Sequence, residues 1–376
     1  MAIDTSVEFT GIHFENPFML SSAPPTESES NILRAYEAGW GGVVTKTIGL
    51  HPVVNVYGAK AKFMRTSPDD ARVSMKKQPN AALHSSWNWE LISDKAIDWW
   101  EPRIRRIKEA YPNRVLIASI MAGSGSDKEY DKWQLLANAC QDAGADGLEL
   151  NFSCPHMDRK DMGSNIGKDK VLCSTVTEAV KEVAKVPVWC KLTPATANIV
   201  EEAGACFVGG ADAVVSSNTF PSLPLIDAET LEFEINVDGF VSSGGLGGPA
   251  ILPMALAKMA QLTQAFPDKS FSGIGGISDM AQAASYFALG CGTVQVCTAA
   301  MLDHAIGPNV IKRLNEGYIT FLEKHGFKSL EDFRGSRRDR VVLQSQIRRP
   351  SDSDYAGGYE QVEGYAAPSE PAQATA

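Results

Sequence analysis

The chain has 376 residues, with 35 Lys+Arg against 45 Asp+Glu and a formal charge of −10. Hydrophobic residues make up 44% and charged residues 21%, a globular balance that excludes a disordered chain. The acidic balance excludes nucleic-acid binding through bulk charge. No apolar run reaches the roughly 20 residues of a membrane span, and the N-terminus lacks the basic and apolar regions of a signal peptide, so a cytoplasmic location is expected.

Residues 7–17 alternate in polarity and predict a short hairpin closing one end of the fold. Apolar strands are then predicted at 18–23, 42–47, 115–120, 147–153, 186–192, 213–218, 271–276 and 293–298. Helical patterns fall between most of them, for example at 132–143, 174–184, 253–266 and 279–289. Several of these units share one design: EAGWGGVVTKT from Glu37, DAGADGLELN from Asp142, VGGADAVVSSN from Val208 and ALGCGTVQVCT from Ala288. In each, Gly ends a helix, where it tolerates the left-handed turn, and a strand follows. The strands are nearly continuous in apolar residues, as parallel strands covered on both faces must be. Such repeated βα units predict an α/β fold, a (β/α)8 TIM barrel. A doubly wound sheet would need a phosphate-binding glycine turn after the first strand, and SSAPPTES is not one.

Three stretches lie outside the repeat, the 7–17 segment and two excursions, and the chain continues past the barrel. A long insertion after the second strand, residues 49–112, carries Trp87, Trp89, Trp99 and Trp100 and is predicted to build the lid or the substrate side of a site. Residues 221–249 end in the glycine-rich SSGGLGGPA. After a barrel over 1–317, a C-terminal helical extension is predicted at 318–349. Residues 334–349 hold six arginines and one aspartate, read either as a docking patch or as a solvated terminal helix that pairs with the tail. Residues 350–376 contain no Lys or Arg and are read as a disordered tail. The seven cysteines include no C-x-x-C pair, so no zinc or iron–sulfur site is predicted and most read as small buried apolar side chains.

Barrel enzymes place their chemistry at the carboxyl ends of the strands. Here the second strand ends at Lys46, the fourth in Asn151-Phe152-Ser153-Cys154-Pro155-His156, the fifth at Lys191 and the sixth at Asn218-Thr219. The seventh ends in Gly275-Gly276 and the eighth in Cys297-Thr298. A lysine closing an apolar strand is costly unless it meets an anion or a dipole. Bare backbone N–H groups at the seventh and eighth strand ends form the usual phosphate site of such barrels. A phosphate-bearing cofactor across the mouth, within reach of both lysines, fits FMN, whose reduced anion a cation near its N1/O2 edge would stabilise.

With Thr45-Lys46-Thr47, Lys191-Leu192-Thr193-Pro194, GIGGIS, VQVCTAA and Asn88-Trp89-Glu90-Leu91-Ile92-Ser93, these residues resemble the FMN-containing, pyrimidine-reducing domain of dihydropyrimidine dehydrogenase, in the dihydroorotate dehydrogenase superfamily. The likeness runs roughly from Phe9 to Gly317, and His156 favours the dihydropyrimidine branch. It implies that Cys154 is the general acid/base on a mobile loop, with His156 beside it. It implies that Asn88, Asn151, Ser153, Asn218 and Thr219 contact the substrate ring. It implies that Ser22, Ala23, Lys46, Thr47, Asn151, Lys191, Gly245, Gly275, Gly276, Cys297 and Thr298 hold FMN.

The chemistry agrees. Reducing the C5–C6 bond of uracil needs a hydride on one face and a proton from the other, and a thiol of ordinary pKa, about 8.5, is protonated near neutrality and can donate. Asparagine presents a donor and an acceptor that match an imide edge. The chain departs from the family at Ala195, where Asn is common, and at Phe220-Pro221. It has no cysteine after Cys297, so no iron–sulfur route of its own is expected. NAD(P)H electrons are then expected through a separate iron–sulfur flavoprotein subunit, or a soluble acceptor enters the same pocket. A homo-oligomer is expected. The rival readings are a dihydroorotate dehydrogenase, for which an arginine or extra lysine in the pocket would speak, and a flavin-binding electron-transfer subunit without pyrimidine activity.

Overall fold

The computed structural model describes residues 3–55, 61–65, 84–155, 159–303 and 307–347, with 61–65 as backbone. The chain divides into Met1–Asp339 and Arg340–Ala376, and the barrel belongs to the first unit. Strands β1 (Val7–Phe9) and β2 (Ile12–Phe14) form the expected hairpin. It sits at the amino-terminal end of the barrel. There Thr10 accepts a 3.0 Å bond from the indole N–H of Trp189, and Phe9 meets the Trp189 ring edge-on at 5.1 Å.

The chain continues through β3 (Phe18–Leu20), α1 (Glu29–Ala38) and β4 (Gly42–Val44), then β5 (Ala61–Arg65) and β6 (His84–Asn88) of the insertion. Next come α2 (Ile97–Ala110), β7 (Val115–Ile120), α3 (Asp127–Asp142), β8 (Gly147–Phe152), α4 (Lys170–Lys181), β9 (Val188–Leu192), α5 (Ile199–Val208) and β10 (Ala213–Ser216). A second excursion holds β11 (Phe220–Ser222) and β12 (Gly244–Gly247). It is followed by α6 (Leu252–Ala265), β13 (Ser270–Ile274), α7 (Met280–Leu289), β14 (Thr293–Val296), α8 (Thr298–Leu302) and α9 (Pro308–His325).

Eight parallel strands close in the order β3-β4-β7-β8-β9-β10-β13-β14, so the molecule is the expected (β/α)8 barrel and not a doubly wound sheet. The helix-ending glycines do what their sequence context asks: Gly39, Gly144, Gly210 and Gly290 all have positive φ, between 95° and 120°. Helices bury one stripe against the sheet, as α3 does with Trp133, Leu136, Ala137 and Cys140. Strand β9 begins at Val188, two residues after the apolar run starts at Val186. Pro187 lies between and has no N–H to give the ladder.

The two excursions are not independent. They form one antiparallel sheet, β11-β12-β6-β5, that stands over the carboxyl ends of the barrel strands. The boundary expected after Gly317 falls within α9, and the following residues form short 3-10 turns such as Leu330–Asp332. Arg334 pairs with Glu331, and Arg338 donates to the Pro267 carbonyl at 3.1 Å. The predicted tail, residues 350–376, and Arg348 and Arg349 lie outside the described residues.

Candidate active site

A cleft with about 1080 Å³ of free space, the solvent at its open mouth included, lies at the carboxyl ends of the strands, between the barrel mouth and the antiparallel sheet. Of the residues expected at a site, Ser22, Ala23, Lys46, Thr47, Asn88, Asn151, Cys154, Lys191, Asn218, Thr219, Gly275, Gly276, Cys297 and Thr298 all line it. His156 lies outside the described residues.

Cys154 follows β8 and is buried. Its turn is built by Asn151, whose Oδ1 accepts from the Ser153 N–H at 3.0 Å, the Ser153 hydroxyl at 2.8 Å and the Cys154 N–H at 3.1 Å. Asparagine favours this role because its short side chain can satisfy the backbone just ahead of it. The Asn151 oxygen is thereby committed to the protein. Its Nδ2 donates one hydrogen to Thr47 at 2.8 Å, and one hydrogen remains for a ligand. Ser153 does not line the cleft. It stands behind it and accepts a 2.9 Å bond from Asn218 Nδ2, which fixes the Asn218 side chain. Thr47 joins a hydroxyl chain across the strands, with Ser22 at 3.1 Å and Ser119 at 2.9 Å.

Asn88 ends β6, and its Oδ1 accepts from the Glu90 N–H at 3.3 Å. Gly245 is not part of the cleft lining. It pairs with Asn88 in the sheet, and a Cβ there would stand 2.1 Å from Thr219 Oγ1. Its bareness lets β12 approach both ring-contact candidates, while Gly247 and Gly248 take the lining positions. Gly248 (φ 87°), after β12, lies against Gly276 (φ 74°), which with Gly275 (φ 128°) follows β13, and all three line the cleft. A Cβ on Gly276 would lie 2.6 Å from the Leu252 Cβ and 3.2 Å from the Gly248 carbonyl oxygen. This turn therefore keeps its backbone bare, as an anion cradle requires.

Both strand-end lysines are matched by carboxylates. Lys46 Nζ donates to Glu90 Oε2 at 2.9 Å, and Lys191 Nζ stands 3.6 Å from Glu149 Oε1. Glu149 is fully buried inside the barrel, and Gln295 Nε2 donates to its other oxygen at 2.8 Å. Gln295 Oε1 and Ser217 Oγ, both on lining residues, are buried with no hydrogen-bond partner, which leaves polar capacity for a ligand. Burial pushes the Cys297 thiol above its ordinary range, opposed in part by the positive charges of Lys191 and Lys46. Sequence reasoning missed Glu90, Glu149 and Gln295. Glu149 and Gln295 each interrupt an otherwise apolar strand, GLELN and TVQVC, and that interruption was the available signal.

Polar groups gathered at one end of a (β/α)8 barrel define an enzyme of that fold. The profile of the dihydroorotate dehydrogenase family matches residues 5–318, and the chain belongs to this family. It is 36% identical over 343 residues to the chloroplastic dihydropyrimidine dehydrogenase (NADP(+)) of Arabidopsis thaliana, covering 88% of this chain and 76% of that one. It is 34% identical over 348 residues to the NAD-dependent dihydropyrimidine dehydrogenase subunit PreA of Escherichia coli, covering 92% and 80%. It is 29% identical over 337 residues to the catalytic subunit of dihydroorotate dehydrogenase B (NAD(+)) of Methanothermobacter thermautotrophicus, covering 90% and 99%. The chain is accordingly an oxidoreductase acting on CH–CH bonds. Among the described residues no helix is long and apolar enough to cross a membrane.

Proposed function

We propose that this chain interconverts an uncharged pyrimidine, of the uracil or thymine kind, and its 5,6-dihydro form, with FMN as resident cofactor. The observation that carries this reading is the buried Cys154 thiol, set by Asn151 in a cleft that Asn88, Asn218 and Thr219 also line. A relay without ring chemistry needs neither the thiol nor the amides. FMN fits the residues present: a bare glycine turn for a phosphate, two carboxylate-paired lysines on the adjoining wall whose remaining ammonium hydrogens can donate to ring carbonyls, and the unpartnered Gln295 Oε1 and Ser217 Oγ for ring N–H or carbonyl groups. When bound, it supplies the hydride.

The chain's own residues orient the ring and move the proton. Asn88, Asn218 and the remaining Asn151 hydrogen pair with imide edges. Ser153 holds Asn218 in place, so the ring is positioned before reaction and little ordering remains to be done in the transition state. The Cys154 Sγ–H donates to ring carbon C5 and, in the oxidative direction, the thiolate takes that proton back. With relatives named as subunits, we assign the NAD(P)H-oxidising step to a partner flavoprotein. His156 stands as the group next to Cys154 in sequence that would stabilise the thiolate.

The purified protein should take up FMN and show a flavin spectrum. Photoreduced protein mixed with uracil or thymine should reoxidise, and Cys154→Ala should slow this by about 10²–10⁴-fold with the flavin still bound. Reoxidation by orotate alone would overturn the substrate reading, and unchanged turnover in the variant would overturn the role of the thiol.

A further inference from the structure

Lys46 and Lys191 are the cationic side chains among the described residues that line the cleft, and each faces a carboxylate. The two carboxylates differ in place. Glu149 lies behind the wall, held by Gln295. Glu90 lines the cleft itself, beside Asn88, with its Oε2 2.9 Å from Lys46 Nζ. The side chains of this pair are only 12% and 19% exposed, so water screens it weakly. Lys46 is therefore a committed cation.

A ligand carboxylate entering here would have to pull Lys46 away from Glu90 or lie beside a second carboxylate. Both are unfavourable beside a pair so little exposed to water. A neutral imide ring meets neither penalty, and its N–H groups can donate to Glu90, which as a carboxylate only accepts. Resting on the pyrimidine reading above, we propose that Glu90 is the specificity-determining residue. Its carboxylate neutralises Lys46 and closes the cleft to pyrimidines that carry a ring carboxylate, while leaving it open to uncharged ones. The selectivity is built on a repulsive element as well as an attractive one.

Equilibrium binding to the FMN-saturated full chain, by calorimetry, tests this without turnover. The wild-type protein should bind uracil more tightly than orotate, and the methyl ester of orotate at least about tenfold more tightly than orotate itself, a factor of ten being about 1.4 kcal/mol. Glu90→Gln, which keeps the shape and an acceptor oxygen and removes the charge, should tighten orotate at least about tenfold while uracil, which loses a charge-assisted acceptor, does not tighten. Glu90→Asp should retain rejection of orotate, and Lys46→Met added to Glu90→Gln should abolish the gain. An ester as poorly bound as orotate means exclusion by size and overturns the proposal. So does a Glu90→Gln variant that gains nothing or shifts both ligands equally. If the variant does not fold, the ester comparison decides. A wild-type protein that prefers orotate to uracil overturns the pyrimidine reading itself, whereas uracil binding without the predicted gain overturns only the role of Glu90.

Discussion

Replacing Glu149 by leucine would strand Lys191 inside the barrel. The two charges stand 3.6 Å apart, with side chains 0% and 4% exposed. At an effective dielectric constant near 20, their attraction is about 5 kcal/mol. Removing one partner of such a pair typically costs about 3–5 kcal/mol, because the survivor is left buried without compensation. Glu149→Leu also deprives the Gln295 amide of its 2.8 Å acceptor, a further loss of about 1–3 kcal/mol. Removing both charges, in Glu149→Leu with Lys191→Met, should return most of the first loss and none of the second. The double-mutant cycle should therefore yield a favourable coupling of about 2–4 kcal/mol. Urea unfolding of the cofactor-free protein measures it, since bound cofactor would add its own stabilisation. Far-UV circular dichroism and tryptophan fluorescence must report coincident transitions for the cycle to be read. The coupling should persist in 0.5 M salt because the pair is sheltered from ions. Single losses that simply add, within about 0.5 kcal/mol, would refute the claim that Glu149 compensates Lys191.

Two further outcomes follow from local geometry. Gly276→Ala forces a Cβ to 2.6 Å from Leu252 at φ 74°, at about 1–2 kcal/mol for the backbone and about 1–3 kcal/mol for overpacking. It should lower the unfolding midpoint and weaken FMN uptake at least about tenfold, and undiminished uptake would show that this turn is not the phosphate cradle. The second concerns acid. The Arg159 guanidinium bonded to Asp161 holds that carboxyl below its ordinary 3.8. Burial raises Glu129, but Lys132 and Arg159 outweigh it and hold Glu129 below 4.5. Depressed carboxylates stabilise the fold above their ordinary values, and that contribution is lost as pH falls through the folded-state values. The Ser124 amide, bonded to the Asp161 carbonyl at 2.9 Å, should thus lose hydrogen-exchange protection between pH 5 and 3, relative to barrel-strand amides, and hold it between pH 6 and 8. Equal relative protection at pH 3 and pH 6 would contradict this.

The barrel was legible because its signals are local. A glycine with positive φ after a helix, then an apolar strand, is readable at Gly39, Gly144, Gly210 and Gly290 without knowing where the strands go. The strand-end rule then placed Lys46, Cys154, Asn218 and Gly276 at one mouth. What the rule could not assign was the division of labour within that mouth. Asn151 and Ser153 read alike as ring contacts, yet one spends its oxygen on the Cys154 turn and the other stands behind Asn218. Gly245 read like the other glycines, but it supports Thr219, and Gly247 and Gly248 face the cleft.

Periodicity and turn chemistry, being short-range, let the sequence by itself determine a (β/α)8 barrel and the strand ends that bear its chemistry. Only the tertiary structure decided how charges are matched, because the partners are remote in the chain. Lys46 meets Glu90 across 44 residues, and Gln295 meets Glu149 across 146. The same holds for the sheet that covers the mouth, where β6 pairs with β12 from a different excursion. Whether a strand-end lysine is a free anion receptor or a neutralised wall depends on such contacts, and desolvation makes that difference large.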